Sequence, residues 1–405
     1  MVIKNDINKL LKNKKIGILI STVQSIIAVA FINNVILLNI IPNKYIYSLI
    51  IILLLFSFLS FTTQINVKFI KIGKLFILLI ISILVICFIY LNKINKMLIE
   101  ISNSDSTTEY HNQNQNQNYM KYVGTKNLFS EKEKNYIKDN FIVYISGVDT
   151  YGDISEKSRS DVNIIACINT NTKNILLIST PRDYYVEIPM DGGSMDKLTH
   201  TGIYGVGVSI KALEKLYNIS IDYYVRVNFS SYIYMVDLLG GITVNSDYTF
   251  KSGNYSFNEG ENKLNGKEAL AFVRERYAFS NGDIQRGENQ MQVIKSLFNK
   301  ALSPTNLLKS YEIVETICRS IETNMLSNEM KALIKMLIND GTSYNIIMYS
   351  VKGTGDKAIT YSGGNKELYV MIPDEKSIIE AKNNIKKIIN KNFNKQISHD
   401  FYVTY

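Results

Sequence analysis

The apolar positions of the first hundred residues form three long runs that contain no charged residue. These runs cover residues 16–41, 46–61 and 75–91. A helix rises about 1.5 Å per residue and needs about 20 apolar residues to cross a bilayer, so the two shorter runs need their flanks to complete a span. A helix that is apolar on every side fits a membrane better than a water-facing core. The pattern predicts three transmembrane helices, at about residues 16–41, 46–63 and 74–92.

The polarity of the chain changes after the third run. Residues 101–118 are polar and include an Asn/Gln repeat. Such a segment cannot bury enough apolar area to offset the entropy lost on ordering. We therefore expect a membrane region at residues 1–100, a flexible linker at 101–118, and a domain at 119–405 that is long enough for one substantial core.

In residues 119–405, short β-branched runs are interleaved with segments of helical periodicity. The pattern predicts strands at residues 141–148, 162–169, 175–180, 223–228, 242–245, 344–351 and 367–372. It predicts helices at residues 208–217, 230–239, 267–274, 284–302, 306–321, 329–339 and from 374 onward. Strands interleaved with helices indicate an α/β domain whose sheet is covered on both faces.

The distribution of charge indicates membrane topology and argues against a nucleic-acid partner. The formal net charge is +9, and residues 1–100 account for all of it, with eleven Lys and two acids. The remaining residues hold 34 basic and 34 acidic side chains. Five Lys precede the first run, one lies between the first and second, and three lie between the second and third, which follows the positive-inside rule. The sequence predicts a multi-pass protein of the cell membrane with a cytoplasmic N-terminus and an extracytoplasmic domain.

Several common kinds of site find no support in the sequence. The three Cys and three His form no metal-ligand spacing, disulfide framework or recognisable catalytic triad motif. No P-loop or dinucleotide-binding glycine pattern follows a predicted strand. The chemistry must therefore come from other residue types.

Arginine is scarce and clustered in this chain. Seven Arg stand against 38 Lys, and six of the seven lie between residues 159 and 286. The planar guanidinium binds carboxylate or phosphate oxygens two at a time. Neighbouring Arg repel each other by about 4 kcal/mol at 4 Å and an effective dielectric of 20, which a multiply charged anion offsets. The cluster indicates an oxyanion site, with ordinary surface ion pairs as the alternative.

Two aspartates stand at the ends of predicted strands. Asp149 follows the first strand in SGVDTYG, and Asp161 opens the second in SRSDVN. If these strands are neighbours, both carboxylates meet at one sheet edge, and Mg²⁺ favours one or two carboxylates with substrate phosphate oxygens. The alternative is that each Asp caps a turn.

The arginines occupy positions where elements begin or end. Arg182 follows the third strand in STPRDYY. Arg274 and Arg276 stand in FVRERY, where we expect the helix to end so that both side chains can reach one ligand. Arg286 opens the next helix in NGDIQRGENQ, with Gln290 one turn later, and a helix N-terminus favours anions. A diphosphate with bound Mg²⁺ fits this set of residues better than a carboxylate.

Seven motifs within residues 140–302 resemble those of the LytR-CpsA-Psr family of bacterial envelope proteins. They are GVDTYG, RSDVN, LLISTPRDYYVEIP, DKLTHTGIYG, IDYYVRVNF, VDLLGGITV and LNGKEALAFVRERYAFSNGDIQRGENQ. The resemblance implies an extracytoplasmic α-β-α layered catalytic domain with a central mixed sheet, whose motif core is 140–302 and whose C-terminal part is 303–405. It implies an Mg²⁺-dependent phosphotransferase, with Mn²⁺ as an alternative metal. That enzyme moves an anionic glycopolymer, such as a teichoic acid or capsule chain, from a polyprenyl diphosphate carrier to peptidoglycan.

The resemblance also assigns roles to residues of this chain. Asp149 and Asp161 would hold the metal, and with Arg182 and Arg276 they would be the catalytic residues. The diphosphate would be bound by Arg159, Arg182, Lys197, Arg274, Arg276, Arg286 and Gln290. Asp183 and Asp283 would brace the arginines, and helices at residues 230–239 and 293–302 would line a groove for the polyprenyl tail or else pack as plain core.

Two other functions use the same residues. One is a pyrophosphatase that acts on polyprenyl diphosphate with water as the acceptor. The other is a non-enzymatic envelope regulator that binds a lipid diphosphate. A binding protein alone has no need of two metal carboxylates, which argues against the regulator. The transferase is the leading prediction.

Overall fold

The computed structural model describes residues 13–65, 70–104, 138–151, 158–190, 192–301, 321–340 and 344–389. The chain forms two compact units, one made of residues 1–99 with 330–341 and the other of residues 100–329 with 342–405. Most of the predicted linker and nearly all of the helix predicted at 306–321 lie outside the described residues.

The helices and strands follow one another in the order that the sequence pattern predicts, with additional short strands. The helices are α1 (Lys14–Leu38), α2 (Asn43–Ile65), α3 (Ile70–Ser104), α4 (Leu198–Thr201), α5 (Val206–Tyr217), α6 (Phe229–Leu238), α7 (Gly266–Arg274), α8 (Gly282–Ala301), α9 (Ser327–Asp340) and α10 (Glu375–Ile389). The strands are β1 (Asn140–Val148), β2 (Ser160–Asn169), β3 (Asn174–Ser179), β4 (Tyr185–Glu187), β5 (Met195–Lys197), β6 (Tyr223–Asn228), β7 (Ile242–Ser246), β8 (Phe250–Ser252), β9 (Tyr255–Phe257), β10 (Gly260–Leu264), β11 (Ile321–Thr323), β12 (Asn345–Ser350), β13 (Gly353–Ile359) and β14 (Glu367–Pro373).

Helices α1, α2 and α3 are the three predicted apolar helices. Segments of 25, 20 and 28 residues within them are long and apolar enough to cross a membrane. Helix α3 continues past residue 92 to Ser104, further than the sequence predicts. The reason is that Ile94, Met97 and Leu98 repeat at helical spacing and are buried, so the amphipathic pattern outlasts the apolar run.

Helix α9 belongs to the same unit as these three helices from Met330 onward. Lys331 Nζ donates a hydrogen bond to Asn95 Oδ1 at 2.6 Å, and Lys335 Nζ donates one to Asn39 Oδ1 at 2.8 Å. Asn39 directly follows α1, and Asn95 lies in the last part of α3. The C-terminal ends of α1 and α3 therefore lie on one side of this unit.

The second unit is built on a six-stranded mixed sheet with the order β11-β6-β1-β2-β3-β12. Strand β1 pairs antiparallel with β2 and parallel with β6, while β3 pairs antiparallel with β2 and parallel with β12. The edge strand β11 runs antiparallel to β6. The central mixed sheet implied by the family resemblance is confirmed.

Helices cover both faces of this sheet, as the pattern predicts. On one face Tyr144 and Ile165 pack with Leu213 of α5 and Ala381 of α10 in one buried cluster. On the other face α8 lies against β2, β3 and β12. Burial on both faces explains why β2 and β3 are nearly continuous apolar runs.

A second buried cluster joins α6, α7 and α8 to the small strands β7, β8, β9 and β10. Val236 of α6 and Val293 of α8 are almost fully buried in it, together with a group of packed phenylalanine rings. These two residues lie in the segments predicted to line a lipid groove, and here they are core. The lining of a groove by the remaining side chains of these segments stays a prediction.

The sequence pattern missed the short strands β4, β5, β8, β9, β10, β11 and β13. Most of these strands are three residues long, which is too short to show an apolar alternation. Strand β13 is longer but is exposed along most of its length, so it shows no such alternation either. Their pairings depend on neighbours elsewhere in the chain. The hairpin β13–β14, for example, is fixed by a hydrogen bond of 2.7 Å from the Met371 N–H to the Asp183 carbonyl oxygen.

Candidate active site

The two aspartates predicted to hold a metal lie at the same end of neighbouring strands. Strands β1 and β2 pair through Gly147↔Val162 and Val148↔Ser160, with an irregularity between these two pairs. Asp161 is the additional residue at this irregularity, and Asp149 directly follows β1. A side chain at Gly147 would place its Cβ 2.6 Å from Val162 Cγ2, so the close approach of the strands requires glycine. The condition set for the two carboxylates to lie at one sheet edge, that β1 and β2 are neighbours, is met.

Asp161 is held by two side chains from other segments. Arg182 Nη1 donates to both carboxylate oxygens of Asp161, at 3.0 Å each. Thr199 Oγ1 donates to Asp161 Oδ1 at 3.2 Å. The backbone joins the same segments, because the Thr199 N–H donates to the Arg182 carbonyl oxygen at 2.8 Å.

Asp183 links Arg182 to Lys197. Lys197 Nζ donates to Asp183 Oδ1 at 3.0 Å, and Arg182 Nε lies 3.6 Å from Asp183 Oδ2. Within the described part of the chain, Arg182 Nε is buried and has no hydrogen-bond partner. A buried guanidinium N–H without a partner is a donor that a ligand oxygen can satisfy.

Arg286 lies in the first turns of α8, almost completely buried. Its Nη2 is 2.8 Å from Asp283 Oδ1 in the preceding turn. The other oxygen, Asp283 Oδ2, is buried and has no hydrogen-bond partner among the described residues. Gln290, one turn after Arg286, donates to the Val273 carbonyl oxygen at 3.4 Å and so ties α8 to α7.

Helix α7 ends at Arg274, as predicted. Glu275 has extended backbone angles, and its Oε1 accepts hydrogen bonds from the next three backbone N–H groups at 2.8–3.0 Å. The Arg274 guanidinium lies 4.5 Å from the centre of the Phe229 ring. Its Nη2 is 3.9 Å from Asp149 Oδ1, so Arg274 is the cation next to this exposed carboxylate.

Arg276 is held by the residue that follows it. Its guanidinium lies 4.6 Å from the centre of the Tyr277 ring, and its Nη2 donates to the Tyr277 hydroxyl at 2.5 Å. Arg274 and Arg276 therefore rest on different aromatic rings. The expectation that both reach one ligand stays a prediction.

Arg159 is an exposed residue immediately before β2. Its carbonyl oxygen accepts a long hydrogen bond of 3.5 Å from the Asp149 N–H. The structure thus places the backbone of Arg159 beside the site, and the binding role of its side chain stays a prediction.

The named charges of the site leave a small positive excess, which favours an anionic ligand. Arg182, Lys197, Arg274, Arg276 and Arg286 are five cations against the four carboxylates Asp149, Asp161, Asp183 and Asp283. Burial lowers the pKa of Arg182, but the carboxylate of Asp161 outweighs it and the pKa is raised. The pKa of Arg286 is lowered, first by burial and then by the charges of Arg182 and Arg276, against the opposite effect of Asp283. Because Arg stays charged at neutral pH, an added dianion relieves this repulsion.

The carboxylates present fit the ligand set of Mg²⁺. Within the part of the chain that the structure describes, no three His, Cys, Asp or Glu side chains gather into a complete protein metal site. A carboxylate has about four lone-pair positions, and Arg182 and Thr199 engage three of those of Asp161. The Asp149 side chain is 45% exposed. Two carboxylates completed by substrate phosphate oxygens form a set that Mg²⁺ uses.

Sequence reasoning missed three side chains of this site: Thr199, Phe229 and Tyr277. Thr199 stands in the quoted motif DKLTH, two residues after Lys197, so its place in the motif was the available signal. Phe229 and Tyr277 also stand in quoted motifs, IDYYVRVNF and FVRERY, but the arginine that packs over each ring is shown only by the structure.

Comparison with known proteins gives the family. A model described as the LytR_cpsA_psr family matches residues 97–387. The chain belongs to the LytR-CpsA-Psr family. A Bacillus licheniformis member, named polyisoprenyl-teichoic acid–peptidoglycan teichoic acid transferase TagU, is 35% identical over 254 residues, or 62% of this chain and 79% of the relative. The Bacillus subtilis protein of the same name is 33% identical over 255 residues, or 63% and 79%.

Solved structures of the LytR-CpsA-Psr family have the same fold. The crystal structure of B. subtilis TagV aligns with a TM-score of 0.53 at 27% identity and covers 62% of this chain and 98% of TagV. The structure of TagT bound to LIIa-WTA aligns with a TM-score of 0.50 at 28% identity and covers 62% of this chain and 91% of TagT.

Proposed function

We propose that this member of the LytR-CpsA-Psr family is a phosphotransferase that ligates an anionic cell-wall glycopolymer, such as a teichoic acid or capsule chain, from a polyprenyl diphosphate carrier to peptidoglycan. The observation that carries the proposal is the cluster of buried or half-buried Arg182, Arg286 and Lys197 beside the paired strand ends of Asp149 and Asp161. The names of the TagU relatives support the same reaction.

The reaction transfers a phosphorylated glycan between two oxygen atoms. A hydroxyl oxygen of peptidoglycan bonds to the sugar-side phosphorus, and the bond between that phosphorus and the bridging oxygen breaks. Polyprenyl phosphate leaves with the bridging oxygen, and the hydroxyl proton passes to a base. Catalysis of such a transfer consists mainly of positioning and of neutralising charge on the phosphoryl oxygens.

The basic residues supply that neutralisation. Arg182 would direct its Nε, which has no hydrogen-bond partner among the described residues, to an oxygen of the diphosphate, while its Nη1 stays bonded to Asp161. The charge of Arg286 is disfavoured by burial and by the charges of Arg182 and Arg276, so an added anion would stabilise it. Arg276, whose guanidinium packs on the Tyr277 ring, would also bind the diphosphate. Lys197 and Arg274 are the remaining basic residues that would contact it.

Asp149 is suited to orient the acceptor hydroxyl. Its side chain is half exposed, and its nearest ion-pair partner, Arg274, is 3.9 Å away, so a lone pair stays available to a hydroxyl from solvent. The same carboxylate is placed to receive the proton as the new bond forms.

Asp149 and Asp161 would also hold Mg²⁺, or Mn²⁺ in its place. The metal would neutralise charge on the diphosphate oxygens and so favour departure of polyprenyl phosphate. Binding of the metal by these two carboxylates can be measured without turnover, as the loss of Mn²⁺ affinity in Asp161→Asn.

We also propose that α1, α2 and α3 cross the cell membrane, with the N-terminus cytoplasmic and the catalytic unit outside. The support is the Lys distribution around the apolar runs and the length and hydropathy of the helices. The contacts of α9 with Asn39 and Asn95 are consistent with an odd number of spans, because they put the ends of α1 and α3 on one side.

The full-length protein in detergent, supplied with Mg²⁺, a polyprenyl-diphosphate-linked glycan and peptidoglycan oligomers, tests the proposal. A covalent glycan–peptidoglycan product is the expected result. Release of free phosphorylated glycan alone would favour the pyrophosphatase. Retention of the lipid without turnover would favour the regulator.

A further inference from the structure

Tyr369 brings an exposed aromatic ring to the diphosphate site from a distant part of the sequence. It lies on β14, and 51% of the residue is exposed. Lys197 Nζ lies 5.8 Å from the centre of its ring, within the range of a cation–π contact. Lys197 is itself bonded to Asp183, which also lies next to Arg182. Tyr369 therefore contacts a residue that shares a carboxylate with Arg182.

The position of this ring is fixed by the backbone next to Arg182. Met371, two residues after Tyr369, donates its N–H to the Asp183 carbonyl oxygen at 2.7 Å. Tyr184 and Met371 form a parallel bridge at the same point. The hairpin that carries Tyr369 is thus joined directly to the loop that carries the catalytic arginine.

Gly355 makes room for the ring on the neighbouring strand. A Cβ at Gly355 would lie 3.0 Å from Tyr369 Cε2 and 3.1 Å from its hydroxyl oxygen. The ring therefore leans across β13, and both its Cε2 atom and its hydroxyl oxygen lie close to the glycine. A larger residue at 355 would force the ring to move.

The charged side chains of the site affect the pKa of the Tyr369 hydroxyl. Its pKa is raised, first by partial burial and then by the carboxylates of Asp183 and Asp283, with Arg276 acting in the opposite direction. These three residues are the partners or neighbours of the diphosphate-binding arginines. The ring accordingly stands at the rim of the same site.

Two parts of the basic cluster differ in chemistry. Arg274 lies over Phe229, a member of the buried apolar cluster of α6, α7 and α8. Lys197 and Tyr369, in contrast, offer an ammonium, an aromatic face and a hydroxyl. A polyprenyl-diphosphate-linked glycan has an apolar chain at one end of the diphosphate and a sugar at the other.

We propose that Tyr369, with Lys197 beside it, forms a subsite for the sugar that is joined directly to the diphosphate. The C–H face of a pyranose stacks on an aromatic ring, because the ring face carries negative charge and the C–H bonds are weakly positive. The Lys197 ammonium lies over that ring at 5.8 Å from its centre, the Tyr369 hydroxyl lies at the ring edge, and both can bond to sugar hydroxyl groups. This inference rests on the proposed function and names the part of the substrate that the C-terminal hairpin recognises.

Two lipids and three variants of the full-length protein in detergent micelles test the subsite. The lipids are polyprenyl diphosphate and the same lipid with one N-acetylhexosamine on its diphosphate, and binding of each is measured by competition against a fluorescent prenyl diphosphate. Tyr369→Ala is expected to weaken binding of the sugar-linked lipid about tenfold, or about 1.4 kcal/mol, and to leave the sugar-free lipid unchanged. Tyr369→Phe keeps the stacking face and should lose much less. Ile372→Ala, which truncates a side chain on the opposite face of the same strand, is the matched control.

The outcomes separate this inference from the proposed function. Equal losses for both lipids in Tyr369→Ala, or no loss for either, would overturn the sugar subsite while the diphosphate site stands. A loss in Ile372→Ala as large as that in Tyr369→Ala would show that the hairpin fold, rather than the ring, is measured, and would also overturn it. Failure of the wild-type protein to bind either lipid would overturn the proposed function, and the subsite with it.

Discussion

Arg182 Nη1 donates to both oxygens of Asp161, at 3.0 Å each. The arginine comes from the segment after β3 and the aspartate from the start of β2, so the contact joins two neighbouring strand ends. One guanidinium nitrogen thereby serves the carboxylate, and Nε of the same group remains buried without a hydrogen-bond partner among the described residues. An ammonium group cannot present donors in two fixed directions in this way, so the proposed contact of Nε with a phosphate oxygen requires a guanidinium.

Arg182→Lys should therefore lower the rate of transfer strongly. Lysine keeps the charge but cannot hold Asp161 and contact a phosphate oxygen in fixed directions, so we expect kcat to fall about a hundredfold, the cost typical of losing one oriented donor. The transfer rate at saturating lipid and the melting temperature of the variant are the two measurements. A rate close to that of the wild type in a folded Arg182→Lys protein would contradict the role given to the guanidinium.

Tyr277 should affect catalysis through Arg276. The ring and hydroxyl of Tyr277 hold the Arg276 guanidinium, and exposed cation–π contacts are worth about 0.5–1 kcal/mol. Tyr277→Ala should lower kcat/KM for the lipid substrate about fivefold, and Tyr277→Phe, which keeps the ring, should lower it less. The same truncation in an Arg276→Lys background should add little. Fully additive losses in the double variant would mean that Tyr277 acts independently of Arg276.

Gly287 allows α8 to pack closely against β3, and this packing positions Arg286 on the same helix. A Cβ at residue 287 would collide with Ser179 Oγ and would lie 3.1 Å from Ser179 Cβ. Gly287→Ala should destabilise the protein by about 1–3 kcal/mol through overpacking and should also reduce activity. Ser179→Ala removes the colliding oxygen, so the double variant should recover part of the melting temperature. If the melting temperature of the double variant does not recover, the contact between residues 179 and 287 does not determine how α8 packs against β3.

The environment of Asp196 should make stability fall at acid pH. Burial raises the pKa of Asp196, but hydrogen bonds from His200, the Ser362 N–H and the Lys197 N–H outweigh it, and the pKa is lowered. A carboxyl whose native pKa lies below its unfolded value of about 3.9 contributes stability that is complete above that pH and is lost as pH falls through the native pKa.

Asp196→Asn tests this assignment through melting temperatures measured from neutral pH down through the acid range. The variant should melt lower than the wild type near neutral pH, with a cost of about 1–3 kcal/mol for the weakened hydrogen bonds. The difference between the two proteins should shrink as pH falls, because the wild type loses the same interactions. A difference that stays constant with pH would contradict the role of the Asp196 charge.

The sequence predicted the central strands and the large helices well, because the apolar pattern within each of these segments indicates which residues are buried. Strands β2 and β3 are apolar along nearly their whole length, and α7 shows its N-cap and its end within one motif. The hairpin β13–β14 shows no such local signal. It is positioned by the bond from Met371 to Asp183, nearly two hundred residues earlier in the chain.

The sequence motifs also indicated which residues come together at strand and helix ends. Asp161, Arg182 and Arg286 stand in such motifs, and in the structure Arg182 pairs with Asp161 and Arg286 pairs with Asp283. Gln290 lies in such a motif too, but its amide bonds to the backbone of α7. Tyr369 could not be predicted, because it stands in none of the motifs and packs near a cation from another segment. Phe229 ends the motif IDYYVRVNF, but its contact with Arg274 is not evident from that motif.

The path of the phosphorus atom tests the central claim most directly. The substrate is a polyprenyl-diphosphate-linked glycan with ³²P only in the phosphate that carries the sugar, incubated with the full-length protein, Mg²⁺ and peptidoglycan oligomers. Transfer of the phosphorylated glycan predicts that the label becomes covalently attached to peptidoglycan and that unlabelled polyprenyl phosphate is released in equal amount. Label that appears only in free phosphorylated glycan, or that stays in the intact lipid, would contradict the transferase.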